Sequence, residues 1–178
     1  MRIILEQLEQ SLDHKLYYLS LITALTIPDI AAALDSKDGE TSKKKYIAWF
    51  DKYVGPYVQN DVQNVSHDPI LTGGECYRFR CSLLHQGKSS NSQSYYKKIF
   101  FIEPGTSNMI GRYNRIESNG IKLLQIDLNS FCLEIIAATR DWLGKVEHTE
   151  YYQRNYNASA RRHLNSSLPI FSGATIIG

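Results

Sequence analysis

The fold is best predicted from one stretch, Thr72-Gly-Gly-Glu-Cys-Tyr-Arg-Phe-Arg-Cys-Ser-Leu-Leu-His85-Gln-Gly87. Thr72 and Glu75 have the spacing of a capping box, and Gly87 suits a left-handed C-cap, so the stretch predicts one short helix. Apolar residues recur every three or four positions between the caps, which predicts a buried stripe. The same helix carries three basic side chains, Arg78, Arg80 and His85. Because charges on a largely apolar helix are costly unless they are paired or used, these three are the first candidates for function.

The composition favours a single globular domain and excludes several classes of protein. The chain has 178 residues, of which 43% are hydrophobic, and a net charge of only +2, so a nucleic-acid site has to come from a local cluster. The three cysteines form no CxxC pair, which favours buried, reduced thiols. The sequence shows no signal-peptide pattern and no apolar run approaching bilayer length. We therefore expect a cytoplasmic protein with no membrane contact.

The first half of the chain predicts helices. Leucine and isoleucine at helical spacing from Leu5 to Ile22 predict one long first helix. Pro28 then predicts a break and a short second helix. An aromatic helix follows, which we expect to begin at Thr41 and to stop at Gly55-Pro56.

Two apolar, β-branched runs follow the organising helix, at residues 98–103 and 121–126. Each is bounded by turn residues, as strands of a hairpin are. We expect the two runs to pair as a small antiparallel β-ribbon at about 97–126. That ribbon would be an insertion peripheral to the helical scaffold.

A last helical stripe, from Leu128 to Val146, completes the predicted architecture. The fold class is therefore mainly α: one helical bundle over residues 1–155 with the β-ribbon inserted in it. Residues 156–178 are mostly polar and are expected to form a loose C-terminal tail.

Common catalytic and cofactor motifs are absent from the sequence. No two histidines have metal-ligand spacing, and Walker, dinucleotide-binding and serine-hydrolase motifs are missing, so we expect neither a metal nor a cofactor. Lys43-Lys44-Lys45 is most simply a solvated helix turn, with phosphate binding as the alternative. Four of the histidines are expected to be ordinary surface residues: His14, His67, His148 and His163.

Arg80-Cys-Ser-Leu-Leu-His85 resembles the signature of the HEPN superfamily, in which an arginine and a histidine are separated by four to six residues near the end of a helix. Arg78, with six residues before the histidine, fits the same signature. The segment Thr-Ile-Pro-Asp-Ile at 26–30 is also similar to bacterial HEPN-like proteins. The resemblance covers the helical frame, residues 1–87 and 127–150, and implies a HEPN-like bundle.

The resemblance also implies a function, metal-independent RNA cleavage by a symmetric homodimer in stress or phage defence. The ribose 2′-hydroxyl would attack the adjacent phosphorus, which requires a group that accepts and donates protons and a cation for the phosphate. By the resemblance, His85 is the general acid/base, Arg80 holds the phosphate and Arg78 binds RNA. Cys81 stands where many members of the superfamily have Asn, Asp or His.

Helix geometry leaves an alternative open. On an ideal helix Arg80 and His85 point about 140° apart, so Arg80 has to bend to reach His85, whereas Arg78 and His85 share a face. Both arginines could instead be paired with carboxylates such as Glu75 or Asp29. The chain would then be a non-catalytic HEPN-like interaction module, or one that binds nucleotide or RNA without cutting it.

Overall fold

The computed structural model describes residues 1–59, 69–88, 94–106, 111–163 and 173–178, and within them the chain is mainly helical. The α-helices are α1 (Arg2–Asp13), α2 (Tyr17–Leu34), α3 (Lys43–Trp49), α4 (Gly55–Gln59), α5 (Gly73–Gln86), α6 (Leu128–Val146) and α7 (Glu150–Ala158). A π-helical turn, Phe50–Val54, joins α3 to α4. The strands are β1 (Lys98–Ile102), β2 (Tyr113–Ser118), β3 (Ile121–Asp127), β4 (Arg162–His163) and β5 (Ile176–Ile177).

Helix α2 lies at the centre of the bundle and packs against α1, α3, α5, α6 and α7. With 18 residues and a mean hydropathy of 1.4, it is long and apolar enough to cross a bilayer, so the expectation that no apolar run approaches this length was wrong. Half of these residues (50%) are buried inside the protein. Leu25 and Ile27, for example, have no exposed surface. The apolar composition of α2 is accounted for by its position in the core.

The first helices divide at a different place from the predicted one. The chain turns at residues 14–16, where Lys15 has a positive φ of 58°, so the leucine stripe is shared by two helices. Pro28 lies inside α2 and does not begin a new helix. A proline in a helix interior costs about 3 kcal/mol. Because Ile27 and Pro28 are both buried against neighbouring helices, tertiary packing outweighs that cost.

The aromatic helix also runs further than its sequence predicts. Ser42, and not Thr41, caps α3, because the Ser42 hydroxyl accepts a hydrogen bond from the Lys45 amide at 3.2 Å. Gly55 and Pro56 do not stop the helix, which continues through the π-helical turn to the end of α4. Pro56 is the second residue of α4, which follows directly on the π-helical turn.

The sheet is mixed, which corrects the predicted antiparallel β-ribbon. β1 pairs with β3 in parallel, and β2 pairs with β3 in antiparallel orientation, in the order β1-β3-β2. The prediction missed β2, whose sequence is largely polar. Asn119 and Gly120, with φ of 52° and 71°, form the two-residue turn between β2 and β3. Since this hairpin occupies one edge of β3, β1 is left to pair with the other edge.

The sheet is part of the core and is not peripheral to it. Leu124 and Ile126 of β3 are fully buried. The ring of Phe101 on β1 packs against Phe79 of α5 and Phe131 of α6, with centroid separations of 5.2 and 5.1 Å. β1 therefore contacts the helix that carries the candidate site.

The C-terminal boundary also differs from the prediction. Helix α7 crosses the expected limit at residue 155 and is anchored by Tyr152, which is buried against Trp142 with a centroid separation of 5.8 Å. Beyond α7, β4 and β5 pair in antiparallel orientation. Part of the described chain after residue 155 therefore lies in a helix and in two short strands. Residues 164–172 of the predicted tail lie outside the described residues.

The start of α5 packs tightly on α3 at a glycine. A Cβ on Gly73 would lie 2.8 Å from the carbonyl oxygen of Ile47 and 3.1 Å from its Cα. Because backbone cannot yield as a flexible side chain does, we expect Gly73→Ala to lower the free energy of unfolding by about 1–3 kcal/mol in urea titrations.

Gly74→Ala is the matched control for this substitution. A Cβ on Gly74 would meet only side-chain atoms, the nearest being Thr72 Oγ1 at 3.6 Å. We expect this variant to be at least as stable as the wild type, since alanine is the better helix former. Equal losses of stability in the two variants would contradict the close packing at Gly73.

Candidate functional site

Helix α5 has the ends that its sequence predicts. The Thr72 hydroxyl accepts a hydrogen bond from the Glu75 amide at 3.2 Å, and Gly87 is left-handed with φ of 62°. The Glu75 carboxylate does not complete the capping box at Thr72. It accepts hydrogen bonds from Arg78 and, at 3.2 Å, from the backbone amide of Tyr95. The start of α5 is thereby connected to the segment that leads into β1.

Arg80 bends toward His85 and joins it to α2. Its Nη1 lies 3.2 Å from His85 Nε2, and its Nη2 lies 2.8 Å from Asp29 Oδ2. The length of the arginine side chain therefore closes the gap of about 140° that separates positions 80 and 85 on an ideal helix. The structure brings Asp29, Arg80 and His85 together in one cluster, which we call the Arg80 cluster.

The contact with Arg80 fits one tautomer of the His85 ring. Arginine is always a donor, so the Arg80 N–H donates and His85 Nε2 accepts. An imidazole whose Nε2 accepts is neutral and carries its proton on Nδ1. His85 thus has an electron pair on Nε2 that can take a proton once Arg80 moves away from it.

The cluster is exposed at one end and buried at the other. His85 is exposed near the C-terminal end of α5, whereas the side chains of Arg80 and Asp29 are only 20% and 14% exposed. A histidine at the surface is therefore backed by a largely buried ion pair. Thr41 extends the cluster by placing its hydroxyl 3.4 Å from Asp29 Oδ1.

Burial and charge act against each other in this ion pair. Burial raises the pKa of Asp29, and the nearby charge of Arg80 opposes that rise without cancelling it. Burial alone would lower the pKa of Arg80, but Asp29, Cys81 and Tyr46 together outweigh burial and the net shift is upward. Arg80 is therefore a permanent cation held in place by Asp29.

Arg78 does not join the Arg80 cluster, although it shares a helix face with His85. It pairs with Glu75, three residues earlier, and its Nη2 lies beside Gly74 in the first turn of α5. Gly74 and His85 are eleven positions apart, which is about 16 Å along a helix axis. The Arg78 guanidinium is thus at the opposite end of α5 from His85.

Cys81 takes part in the site through its sulfur. Arg80 Nη1 lies 3.9 Å from Cys81 Sγ, within range of a weak hydrogen bond to sulfur. Burial, followed by the contact with Cys81, raises the pKa of Tyr77. The residue after Arg80 therefore contacts the arginine, as a weaker acceptor than Asn or Asp would be.

The sequence predicts the places of Asp29 and Thr41 in the Arg80 cluster only in part. Asp29 was considered as a partner for the arginines, and the structure pairs it with Arg80. Thr41 was expected to cap a helix and was missed as a neighbour of Asp29. No local pattern signals that contact, because it depends on how the chain returns from α2 to α3.

The remaining candidate groups have structural roles. Cys76 and Cys132 are free and buried, and burial raises the pKa of each thiol to about 12. In the described part of the chain no three His, Cys, Asp or Glu side chains are grouped so as to hold a metal ion. Three predicted surface histidines are exposed, namely His14, His148 and His163. His67 lies outside the described residues.

The Arg80 cluster combines a fixed cation, an imidazole and a carboxylate that holds the cation. Such a set can bind a phosphate and transfer protons beside it. Comparisons of the chain with protein-family models, curated proteins and solved structures find no match.

The ion pair leads to a prediction about Asp29. We expect Arg80→Gln to raise the pKa of Asp29 further, because burial of the carboxyl persists while the opposing cation is lost. The pKa can be read from the Asp29 carboxyl chemical shift during an NMR pH titration. Arg78→Gln is the control, since Arg78 pairs with Glu75. An unchanged or lower Asp29 pKa in Arg80→Gln would show that the two side chains are not paired in solution.

The raised pKa of Asp29 also fixes the sign of its effect on stability. Above the ordinary value of 3.8, the folded state keeps a proton that the unfolded chain has lost. The Asp29 contribution to the free energy of unfolding therefore falls as pH rises from 3.8 through the folded-state pKa. In urea titrations between about pH 3 and 6, the free energy of unfolding of the wild type should therefore fall relative to that of Asp29→Asn as the pH rises. Parallel curves would contradict the assignment.

Proposed function

We propose that the chain is a HEPN-like, metal-independent endoribonuclease that acts as a symmetric homodimer in the cytoplasm, in stress or phage defence. The observation that supports this proposal is the 3.2 Å contact between Arg80 Nη1 and His85 Nε2 at the exposed end of α5. Cleavage of RNA without a metal needs a cation at the phosphate and a nearby acid/base, and these two side chains supply both.

His85 would act as the proton acceptor. It takes the proton of the ribose 2′-hydroxyl, whose oxygen forms a new bond to the adjacent phosphorus. The bond from phosphorus to the 5′-oxygen breaks, leaving a 2′,3′-cyclic phosphate, and the 5′-oxygen receives a proton. In a dimer, the two His85 side chains can divide these roles, one neutral and one protonated.

Arg80 would stabilise the negative charge that develops on the phosphate. When its guanidinium turns from His85 to a phosphate oxygen, His85 Nε2 becomes free to accept a proton. Asp29 keeps the guanidinium in position during this exchange. Because Asp29 already holds the cation in the site when the substrate arrives, its electrostatic contribution is larger than that of a cation in water.

A second candidate function has support of its own. Arg78 and Arg80 are both paired with carboxylates, Glu75 and Asp29, so neither cation requires a substrate to balance its charge. His85 is in the last turn of α5, where its protonated form would be stabilised by the helix dipole. These contacts favour a non-catalytic HEPN-like module that binds a partner, a nucleotide or RNA.

The two functions differ in their effect on RNA. In excess chelator, we expect the wild-type protein to cut single-stranded RNA, and His85→Ala and Arg80→Ala to cut it about 10²–10⁴-fold more slowly. Gel electrophoresis would measure the rates and detect the 2′,3′-cyclic phosphate ends. His148→Ala is the control, because the His148 side chain is 88% exposed and lies on a different helix end.

Three results would count against the ribonuclease. They are absence of cleavage by the wild type, equal cleavage by His85→Ala, and a monomer by sedimentation at concentrations that cleave RNA. RNA binding without cleavage would favour the second candidate.

A further inference from the structure

A cavity of about 340 Å³ lies between the end of α2 and the helix formed by α3 and the π-helical turn. We call it the lysine cavity, and its lining includes Asp35, Lys37, Lys45, Trp49, Lys52 and Tyr53. Asp29, which belongs to the Arg80 cluster, lines a different cavity. The lysine cavity is therefore separate from the proposed catalytic site, although α2 contributes to both.

The lysine cavity carries an excess of positive charge. Lys37 and Lys52 are exposed, and neither forms an ion pair with another described residue. Lys45 is neutralised by Asp38, with its Nζ 2.5 Å from Oδ1. The carboxylate in the lining is that of Asp35, which accepts a hydrogen bond from Trp142 at 3.2 Å. Three lysines set against the carboxylates of Asp35 and Asp38 leave a net charge of +1, and Lys37 and Lys52 are the lysines outside the ion pair with Asp38.

One wall of the cavity is aromatic. The rings of Trp49 and Tyr53 are in contact, with a centroid separation of 5.4 Å. Trp49 is buried, whereas Tyr53 is half-buried and has Lys52 Nζ 4.7 Å and Lys145 Nζ 5.8 Å from its ring centroid. The ammonium groups of Lys52 and Lys145 thus lie over the Tyr53 ring. A base can stack on this ring when Lys52 leaves it to contact a phosphate.

The backbone of this wall is irregular in a way that is common at binding sites. Lys52 and Tyr53 belong to the π-helical turn, Phe50–Val54, that follows Trp49. A π-helical turn adds one residue to the helix repeat and re-aims the side chains around it, and such turns occur frequently at functional sites. Here the turn presents a lysine and a tyrosine to the same cavity.

We propose that the lysine cavity binds one nucleotide of single-stranded RNA, with a phosphate on Lys37 and Lys52 and a base against Tyr53. A positively charged groove with an aromatic surface is the usual way in which proteins hold single strands. The volume of about 340 Å³ is within the range of small-molecule sites. This inference deepens the proposed ribonuclease and rests on it for the identity of the ligand.

The position of the cavity suits a strand that also reaches the Arg80 cluster. Asp29 and Asp35 are six positions apart at the end of α2, which is about 9 Å along a helix axis. Even at the duplex rise of about 3.4 Å per phosphate, a strand of about eight nucleotides is longer than this distance. A strand of that length is therefore long enough to contact both sites.

The test is fluorescence anisotropy with a labelled single-stranded RNA of about eight nucleotides, in chelator and in the His85→Ala background so that the RNA stays intact. We expect Lys37→Gln combined with Lys52→Gln to weaken binding about tenfold and to reduce the salt slope of log K by about 0.7, because the contact with one phosphate is lost. Lys98→Gln, an exposed lysine on β1, is the control and should bind as the parent does.

A second arm separates RNA from other polyanions. An abasic oligonucleotide of the same length should bind the parent protein more weakly than the RNA, and Tyr53→Leu should remove that difference. Equal binding of the two oligonucleotides by the parent would overturn the nucleotide as the occupant. Binding of the double lysine variant within twofold of the parent would overturn the site, even if wild-type protein cuts RNA. Lysine-dependent binding without cleavage by the wild type would support the site and refute the ribonuclease.

Discussion

The ion pair between Asp29 and Arg80 connects the central helix, α2, to the helix that carries the proposed catalytic residues, α5. One turn earlier, the hydroxyl of Tyr46 lies 3.2 Å from the carbonyl of Leu25 on α2 and 3.3 Å from Cys76 Sγ on α5. Leu25 and Cys76 each precede the ion-pair residues by four positions, so the two contacts fix one register between the helices. The position of Arg80, and through it the contact with His85, depends on that register.

Local sequence signals predicted the parts of the fold that local interactions decide. Thr72 and Gly87 fixed the ends of α5 because capping involves residues only a few positions apart. The pairing of β1 with β3 was not predictable in the same way, since it depends on a hairpin made by the polar strand β2. The break predicted at Pro28 was wrong for a related reason. Burial of α2 on several sides outweighs the local preference against proline in a helix.

The candidate site was predicted in composition but not in arrangement. On an ideal helix, Arg80 and His85 point in different directions. The long side chain of Arg80 nevertheless reaches His85, and its guanidinium also contacts Asp29 on α2. The same angles favoured Arg78 as a neighbour of His85, but Glu75 holds Arg78 at the other end of α5. In both cases a carboxylate, one on the same helix and one on α2, decides which arginine reaches the histidine. The spacing of the residues in the sequence does not indicate which carboxylate each arginine will pair with.

The most direct measurement is a double-mutant cycle of Asp29→Asn and Arg80→Gln, with the free energy of unfolding determined for all four proteins. If the ion pair holds α5 against α2, the two substitutions should be coupled by about 1 kcal/mol or more, because each removes the partner of a largely buried charge. Effects that add to within about 0.3 kcal/mol would contradict the pairing. The position of Arg80 beside His85 would then need another cause.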